Sequence, residues 1–256
     1  MSSRRSWRSY NGEALPEADL FFLTDLAESF VPYNDARCVV VEKADPQLFT
    51  GIVGSYGSVK GAPSALLVIA RKTGRGQQHA GYTGEALVLE AGSRGLSTCW
   101  IGGSFDRTKA LELTDLAEDE FVVCVSPLGF RTPTETLTDQ LMHGAARSAT
   151  RKPLTEIAPN FSDEWPTWAR VAVECARLAP SAMNRQPWLF DFAGGELSLN
   201  VVPGRERAEL TRALDCGIAM LHAEVAARQT GCVAHWVDDG AGSALAVLQC
   251  DGAEAE

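Results

Sequence analysis

The chain has 256 residues, 45% hydrophobic and 22% charged, an ordinary globular mixture long enough to bury a large core. Its formal charge of -10, from 23 Lys and Arg against 33 Asp and Glu, excludes the broad basic face that a nucleic acid needs. No apolar run reaches the roughly 18 residues of a membrane span and no charged-then-apolar leader opens the chain, so no membrane contact and a cytoplasmic location are expected.

In chain order, Arg4-Arg5-Ser6-Trp7-Arg8-Ser9-Tyr10 comes first, with three guanidiniums and two hydroxyls inside six residues. Arginine gives bidentate contacts to phosphate oxygens, so this stretch is a candidate anion clamp, sized for one phosphate. Leu15 to Phe30 has helical apolar spacing, and Cys38–Val41 is a buried-strand run. Gly57–Pro63 leads into a second strand, Ala65–Ala70, and Phe121–Val125 is a third. Between them Gly81–Gly95 is a small-residue helix stopped by a glycine. Arg131 to Thr150 reads as a linker, followed by the basic pair Arg151-Lys152.

An apolar run from Trp165 to Leu178 predicts a helix ending at Pro180, and Leu189–Phe192 predicts the strand beyond it. The turn between them, Pro180-Ser181-Ala182-Met183-Asn184-Arg185-Gln186-Pro187-Trp188, gathers Ser181, Asn184 and Gln186. These uncharged donors and acceptors suit the edges of a flat heteroaromatic ring. Leu197–Val201 alternates like a half-exposed strand, Gly217–Gly231 is another small-residue helix, Ala244–Cys250 is a last strand, and Asp251–Glu256 is a frayed end.

The seven cysteines lie singly without a C-x-x-C pair and are expected as reduced core residues, and the four histidines do not space as metal ligands. No metal site is expected. Nor is there a Rossmann or Walker glycine motif.

The arm and the turn together resemble the nitroreductase family of flavoproteins, which opens with R-R-S-x-R and carries P-S-x-x-N-x-Q-P-W. Gly95–Gly103 resembles that family's helix-exit loop, Gly129-Phe130 the end of its central strand, and Arg151-Lys152-Pro153-Leu154 its closing basic segment. Here the closing segment falls in mid-chain. Gly81–Gly95 also lies over Gly217–Gly231 at a constant offset of 136, which points to an internal repeat. The first-half copy of the turn, Phe30–Arg37, lacks the Ser and the Gln-Pro-Trp, and the second-half copy of the clamp, near Ala158–Glu164, lacks Arg and Lys. Each half keeps what the other lost, as in the fused "putative TM" branch of the family, where one chain stands in for a dimer.

The resemblance implies an α+β nitroreductase-like layered fold with two pseudo-symmetric halves around mixed sheets, residues 1–150 supplying the phosphate clamp and 151–256 the ring turn. It implies an FMN-dependent NAD(P)H oxidoreductase, passing hydride through flavin N5 by ping-pong turnover to a nitroaromatic, quinone or similar planar acceptor, and acting as a monomeric pseudo-dimer. A non-catalytic FMN-binding, storage or sensing protein of the same fold is the alternative. By carry-over, Arg4, Arg5, Ser6 and Arg8 hold the FMN phosphate end, with Arg151 and Lys152 contributing. Pro180, Ser181, Ala182 and Asn184 line the ring, supported by Gln186. Trp100, Ile101, Gly102 and Gly103 lie along it, offering backbone N–H groups, and Gly102 stands where many members carry an acidic residue. No side chain is assigned as catalytic, because the cofactor carries the chemistry.

Overall fold

The computed structural model describes residues 4–50, 59–133, 150–204, 211–239 and 244–252. The linker expected over Arg131–Thr150 lies mostly outside these residues, as do the start of the Gly57–Pro63 segment and most of the frayed end. The first half contains α1 (Glu17–Ser29), β1 (Ala36–Val41), β2 (Ser64–Arg71), α2 (Gly76–Ser93), β3 (Ser97–Thr98), α3 (Arg107–Glu112) and β4 (Glu120–Gly129). The second contains α4 (Leu154–Ile157), α5 (Thr167–Ala176), β5 (Trp188–Ala193), β6 (Glu196–Val201), α6 (Arg212–Arg228), β7 (Val233–Val237) and β8 (Ala246–Asp251).

The sheets run β1-β2-β4-β3 and β5-β6-β8-β7, the same order twice, which makes the α+β fold a duplicated one. The expectation of mixed sheets needs correction. Every ladder between these strands is antiparallel, and parallel contact among the described residues is confined to the isolated bridges Ser6–Thr98 and Ser9–Lys60 of the N-terminal arm.

Burial follows strand position. β2 is central and covered on both faces, so its run Ser64–Ala70 is buried throughout. Leu66, Val68 and Ala70 face a core with Leu23 of α1 and Leu87 and Val88 of α2, whereas Ala65, Leu67 and Ile69 face Leu48, Phe49 and Phe105. In the second sheet alternation is cleaner: Trp188, Phe190, Leu197 and Leu199 point inward and are fully buried. Each such side chain contributes roughly 1.5–3 kcal/mol by leaving water.

α2 and α6 pack against each other through the middle of the molecule, and their glycines and alanines permit that approach. Gly95 ends α2 as expected, with φ +80° and Leu96 N–H reaching the Ala91 carbonyl at 3.0 Å. Two cysteines depart from the expectation of lone thiols: Cys232 and Cys250 are joined in a disulfide between the start of β7 and the end of β8, at a Cα separation of 5.7 Å. Eighteen residues separate them in the chain, so only the β7–β8 pairing brings them together. The other five cysteines form no disulfide among the described residues. No helix among the described residues is long and apolar enough to cross a membrane.

Candidate functional site

The turn after α5 is the most strained backbone among the described residues. Met183, Asn184 and Gln186 all have positive φ, at 54°, 53° and 47°, though none is glycine. Residues held there each cost about 1–3 kcal/mol and persist only where the surroundings over-determine them. Those surroundings are visible. Gln186 N–H donates to Ser181 Oγ at 2.9 Å, and Lys152 N–H donates to Gln186 Oε1 at 2.9 Å. Asn184 Nδ2 donates to the Thr150 carbonyl at 2.8 Å, while its Oδ1 accepts from Arg151 Nη1 at 3.3 Å and Gln186 Nε2 at 3.2 Å. The amides of Asn184 and Gln186 therefore brace the turn from within. This narrows the sequence expectation for Asn184, whose side chain is turned toward Thr150 and Arg151.

From below, Asp215 in the first turn of α6 accepts from Ala182 N–H at 2.9 Å and from Arg185 Nη2 at 3.0 Å. It is 2% exposed, and burial pushes its carboxyl up to about 6, against the opposing pull of the Ala182 amide and Arg185. Sequence reading missed both Asp215 and Arg185.

Arg151 donates to the Leu178 carbonyl at 3.2 Å beside this turn. Burial, with the nearby guanidiniums of Arg4 and Arg177, pulls Arg151 below the ordinary arginine range. Like charges gather here from three segments: the N-terminal arm, the residue before Lys152 and the C-terminal end of α5. Arg4 Nη1 and Arg177 Nε are buried atoms without a hydrogen-bond partner among the described residues. Buried donors of this kind ask for an anion, and a phosphate supplies acceptor oxygens and charge at once. Arg177 was not foreseen, because it reads as the end of an amphipathic helix.

The arm reaches this point by running beside β3, with Trp7 N–H donating to the Thr98 carbonyl at 3.0 Å and Ser6 bridging Thr98. Arg5 is exposed and Arg8 half-buried along the same arm. Lys152 turns its ammonium to Glu156 at 3.0 Å. The loop after β3 differs in part from expectation. Ile101 N–H donates to the Val125 carbonyl at 2.9 Å and Val125 N–H returns the bond, so the Ile101 amide is taken up by β4. Gly102 is half-buried and Gly103 exposed, and a Cβ at Gly103 would meet nothing within 4 Å.

The corresponding seam on the other side is filled by protein. Tyr33 stacks on His79 at 3.8 Å and meets Tyr82 edge-on at 5.3 Å. Asp35 pairs with His79 at 2.5 Å, and Arg75 pairs with Asp238. At the repeat offset of 136 His79 corresponds to Asp215, and Asp238 to Gly102. The turn is thus tied to the following helix in both halves, by Arg185–Asp215 in one and Asp35–His79 in the other, with the carboxylate on the helix in the first pair and on the turn in the second.

A family model described as "Putative TM nitroreductase" matches residues 1–227. A crystal structure described as a "putative nitroreductase" from Thermotoga maritima is similar at 24% identity and a TM-score of 0.61, over 96% of this chain and 89% of that one. A nitroreductase family protein from Clostridium novyi aligns at 20% identity and TM-score 0.43, over 54% of this chain and 87% of that one. An FMN-dependent nitroreductase from Clostridium difficile aligns at 21% identity and TM-score 0.44, over 53% of this chain and 87% of that one. Among curated proteins, none matches.

Proposed function

We propose that this chain, which belongs to the nitroreductase family and is an enzyme of that kind, is an FMN-dependent NAD(P)H oxidoreductase with one flavin site per polypeptide. The observation that carries this reading is the half-buried gathering of Arg4, Arg151 and Arg177 next to the strained turn 180–186. The donor set fits the cofactor: guanidiniums without hydrogen-bond partners at Arg4 Nη1 and Arg177 Nε suit a terminal phosphate, and an uncharged turn suits a ring.

Arg4, Arg151 and Arg177 would hold the phosphate, with Arg5, Ser6, Arg8 and Lys152 flanking it. Pro180, Ser181 and Ala182 would line the ring, and Asn184 and Gln186 would keep that turn in its left-handed conformation. Bound there, FMN would supply the hydride chemistry of a ping-pong reaction between NAD(P)H and a nitroaromatic, quinone or similar planar acceptor. The chain's own part is to bind and orient. Trp100 anchors the loop that carries the Gly102 and Gly103 amides, and these offer donors toward an electron-rich ring. Domain roles follow the seam, with residues 1–150 bringing the arm and the loop after β3, and 151–256 the turn. A single chain then completes the site, which favours a monomer acting as a pseudo-dimer, working in the cytoplasm without nucleic acid.

A second reading, a flavin carrier or sensor without turnover, is favoured by one feature: the Ile101 amide is bonded to Val125, leaving fewer donors for a reduced ring. Anaerobic NADH or NADPH added to the FMN-loaded protein separates the two. Bleaching of the flavin absorbance bands supports the oxidoreductase. Bands that persist with either donor support the carrier, and a protein that takes up no FMN refutes both.

A further inference from the structure

At the centre of the molecule, between α2 and α6, lies a polar chain that the phosphate clamp and ring turn do not use. Trp100 Nε1 donates to Glu85 Oε2 at 2.7 Å, and Glu85 Oε1 faces His222 Nε2 at 2.9 Å. Glu85 and His222 are both 0% exposed. His222 Nδ1 has no hydrogen-bond partner among the described residues, so the imidazole is held through Nε2 and Glu85 alone. The indole also packs over Gly84, where a Cβ would come within 2.6 Å of its ring. Trp100 is thus held by contact and by hydrogen bond, and the bond continues into the other half of the chain.

The duplication supplies an internal control. At the offset of 136, Trp100 corresponds to Trp236, whose indole donates to the backbone carbonyl of Met220 at 3.1 Å. Glu85 corresponds to Leu221 and His222 to Ala86. At this position the crossing therefore has an apolar pair, Leu221 and Ala86, in one copy and Glu85 with His222 in the other; the reverse holds one turn along, where Tyr82 OH donates to Glu224 at 2.8 Å and the counterparts are Ile218 and Val88. A buried charged or polar pair costs several kcal/mol in desolvation that an apolar pair avoids. Helix packing does not require it here, since the pseudo-symmetric position does without it. What distinguishes its location is the loop: Trp100 opens the segment ending in Gly102 and Gly103, whereas Trp236 opens one ending in Asp238, bound to Arg75.

We propose that Glu85 and His222 are positioning residues that hold the Trp100–Gly103 loop in place against a bound flavin ring, linking the two halves across the seam. The inference rests on the flavin reading for its ligand but not for the anchoring of the loop. The test replaces the pair by its pseudo-symmetric counterpart, Glu85→Leu with His222→Ala, and adds Trp100→Phe, which removes only the indole donor. Hydrogen exchange of the loop amides is measured without FMN; FMN affinity, the visible band shape and the midpoint potential are measured with it.

Both variants should fold, exchange faster over residues 100–103, and bind FMN on the order of tenfold more weakly, the loss of one charge-assisted hydrogen bond. The band and the potential should shift alike in both. Loop exchange at the wild-type rate in Trp100→Phe overturns the anchor, as does an unshifted band and potential in a variant that still binds FMN. If the wild type takes up no FMN, the flavin reading fails, and loop exchange alone then decides the anchor. Should the double variant not fold, Trp100→Phe carries the same comparison.

Discussion

Gly81 and Gly217 meet the opposite helix in the same way. A Cβ at Gly81 would fall 2.1 Å from the Leu214 carbonyl oxygen and 3.1 Å from Ile218 N; one at Gly217 would fall 1.8 Å from the Gln78 carbonyl oxygen and 3.0 Å from Tyr82 N. The partners are themselves related by the offset that relates the glycines, so α2 and α6 cross on a local two-fold axis. The collisions are with backbone, which cannot rotate away.

Gly81→Ala and Gly217→Ala should therefore each separate the helices and destabilise the fold, by about 1–3 kcal/mol or more as overpacking does. At this chain length that is a fall in Tm of several degrees per variant. The control is Gly92→Ala, where a Cβ meets nothing within 4 Å. Thermal melts in which Gly81→Ala and Gly92→Ala agree would contradict the crossing geometry.

Flavin stoichiometry follows from the filled seam. With Tyr33 stacked on His79 and edge-on to Tyr82 in the matching seam, and Asp238 in place of Gly102, titration should saturate at one FMN per chain. Two equivalent sites per polypeptide would refute the composite-site reading.

Removing a cation should weaken binding without unfolding the chain. Arg4→Ala and Arg177→Ala each delete a charge-assisted contact of about 1.5–3 kcal/mol, roughly a 10- to 100-fold loss in FMN affinity. The combined loss falls short of the sum where the two share one phosphate. Unchanged affinity, read by equilibrium titration of flavin fluorescence, would reduce the arm to a surface strand.

Asn184 and Asn34 occupy matching turns with different surroundings. Asn184→Ala loses its bonds to Thr150 and Arg151 and must hold φ near 53°, which alanine resists by roughly 1–2 kcal/mol. FMN affinity should drop and the midpoint potential move. Asn34 is exposed on the filled side, and Asn34→Ala should leave both unchanged. An equal or larger effect at Asn34 would place the site in the wrong seam.

Asp215 predicts a pH dependence. Its folded pKa of about 6 lies above its ordinary value of 3.8, so the folded chain holds the proton more tightly than the unfolded chain does. Its contribution is therefore least unfavourable below about pH 4, and declines as pH rises to about 6. The decline amounts to on the order of 3 kcal/mol. Asp215→Asn cannot titrate, so wild-type stability relative to this variant should fall across that window, measured by urea denaturation at a series of pH values. A flat difference would show that Arg185 and the Ala182 amide fully offset the burial.

Much of the architecture was legible from periodicity. β2 reads as an unbroken apolar run because it is covered on both faces, and β6 alternates because only one of its faces is buried. β7 was not legible: Val233–Val237 is interrupted by a histidine, and its ends are half-exposed or exposed, so no pattern marks it before β8 is beside it. The disulfide between Cys232 and Cys250 was hidden for the same reason, since spacing along the chain carries no register.

What the sequence determined by itself is local: the basic arm, the uncharged turn, the glycine-stopped helices and the complementary losses of the two halves all depend on residues near one another in the chain. Only the tertiary structure decided which groups act together. Arg177 joins Arg4 and Arg151, Asp215 holds the turn, and Glu85 reaches His222 because two distant helices cross closely at glycines. The physical reason is that electrostatic and hydrogen-bond energies depend on separation in space and on burial, and both are set only when the halves pack.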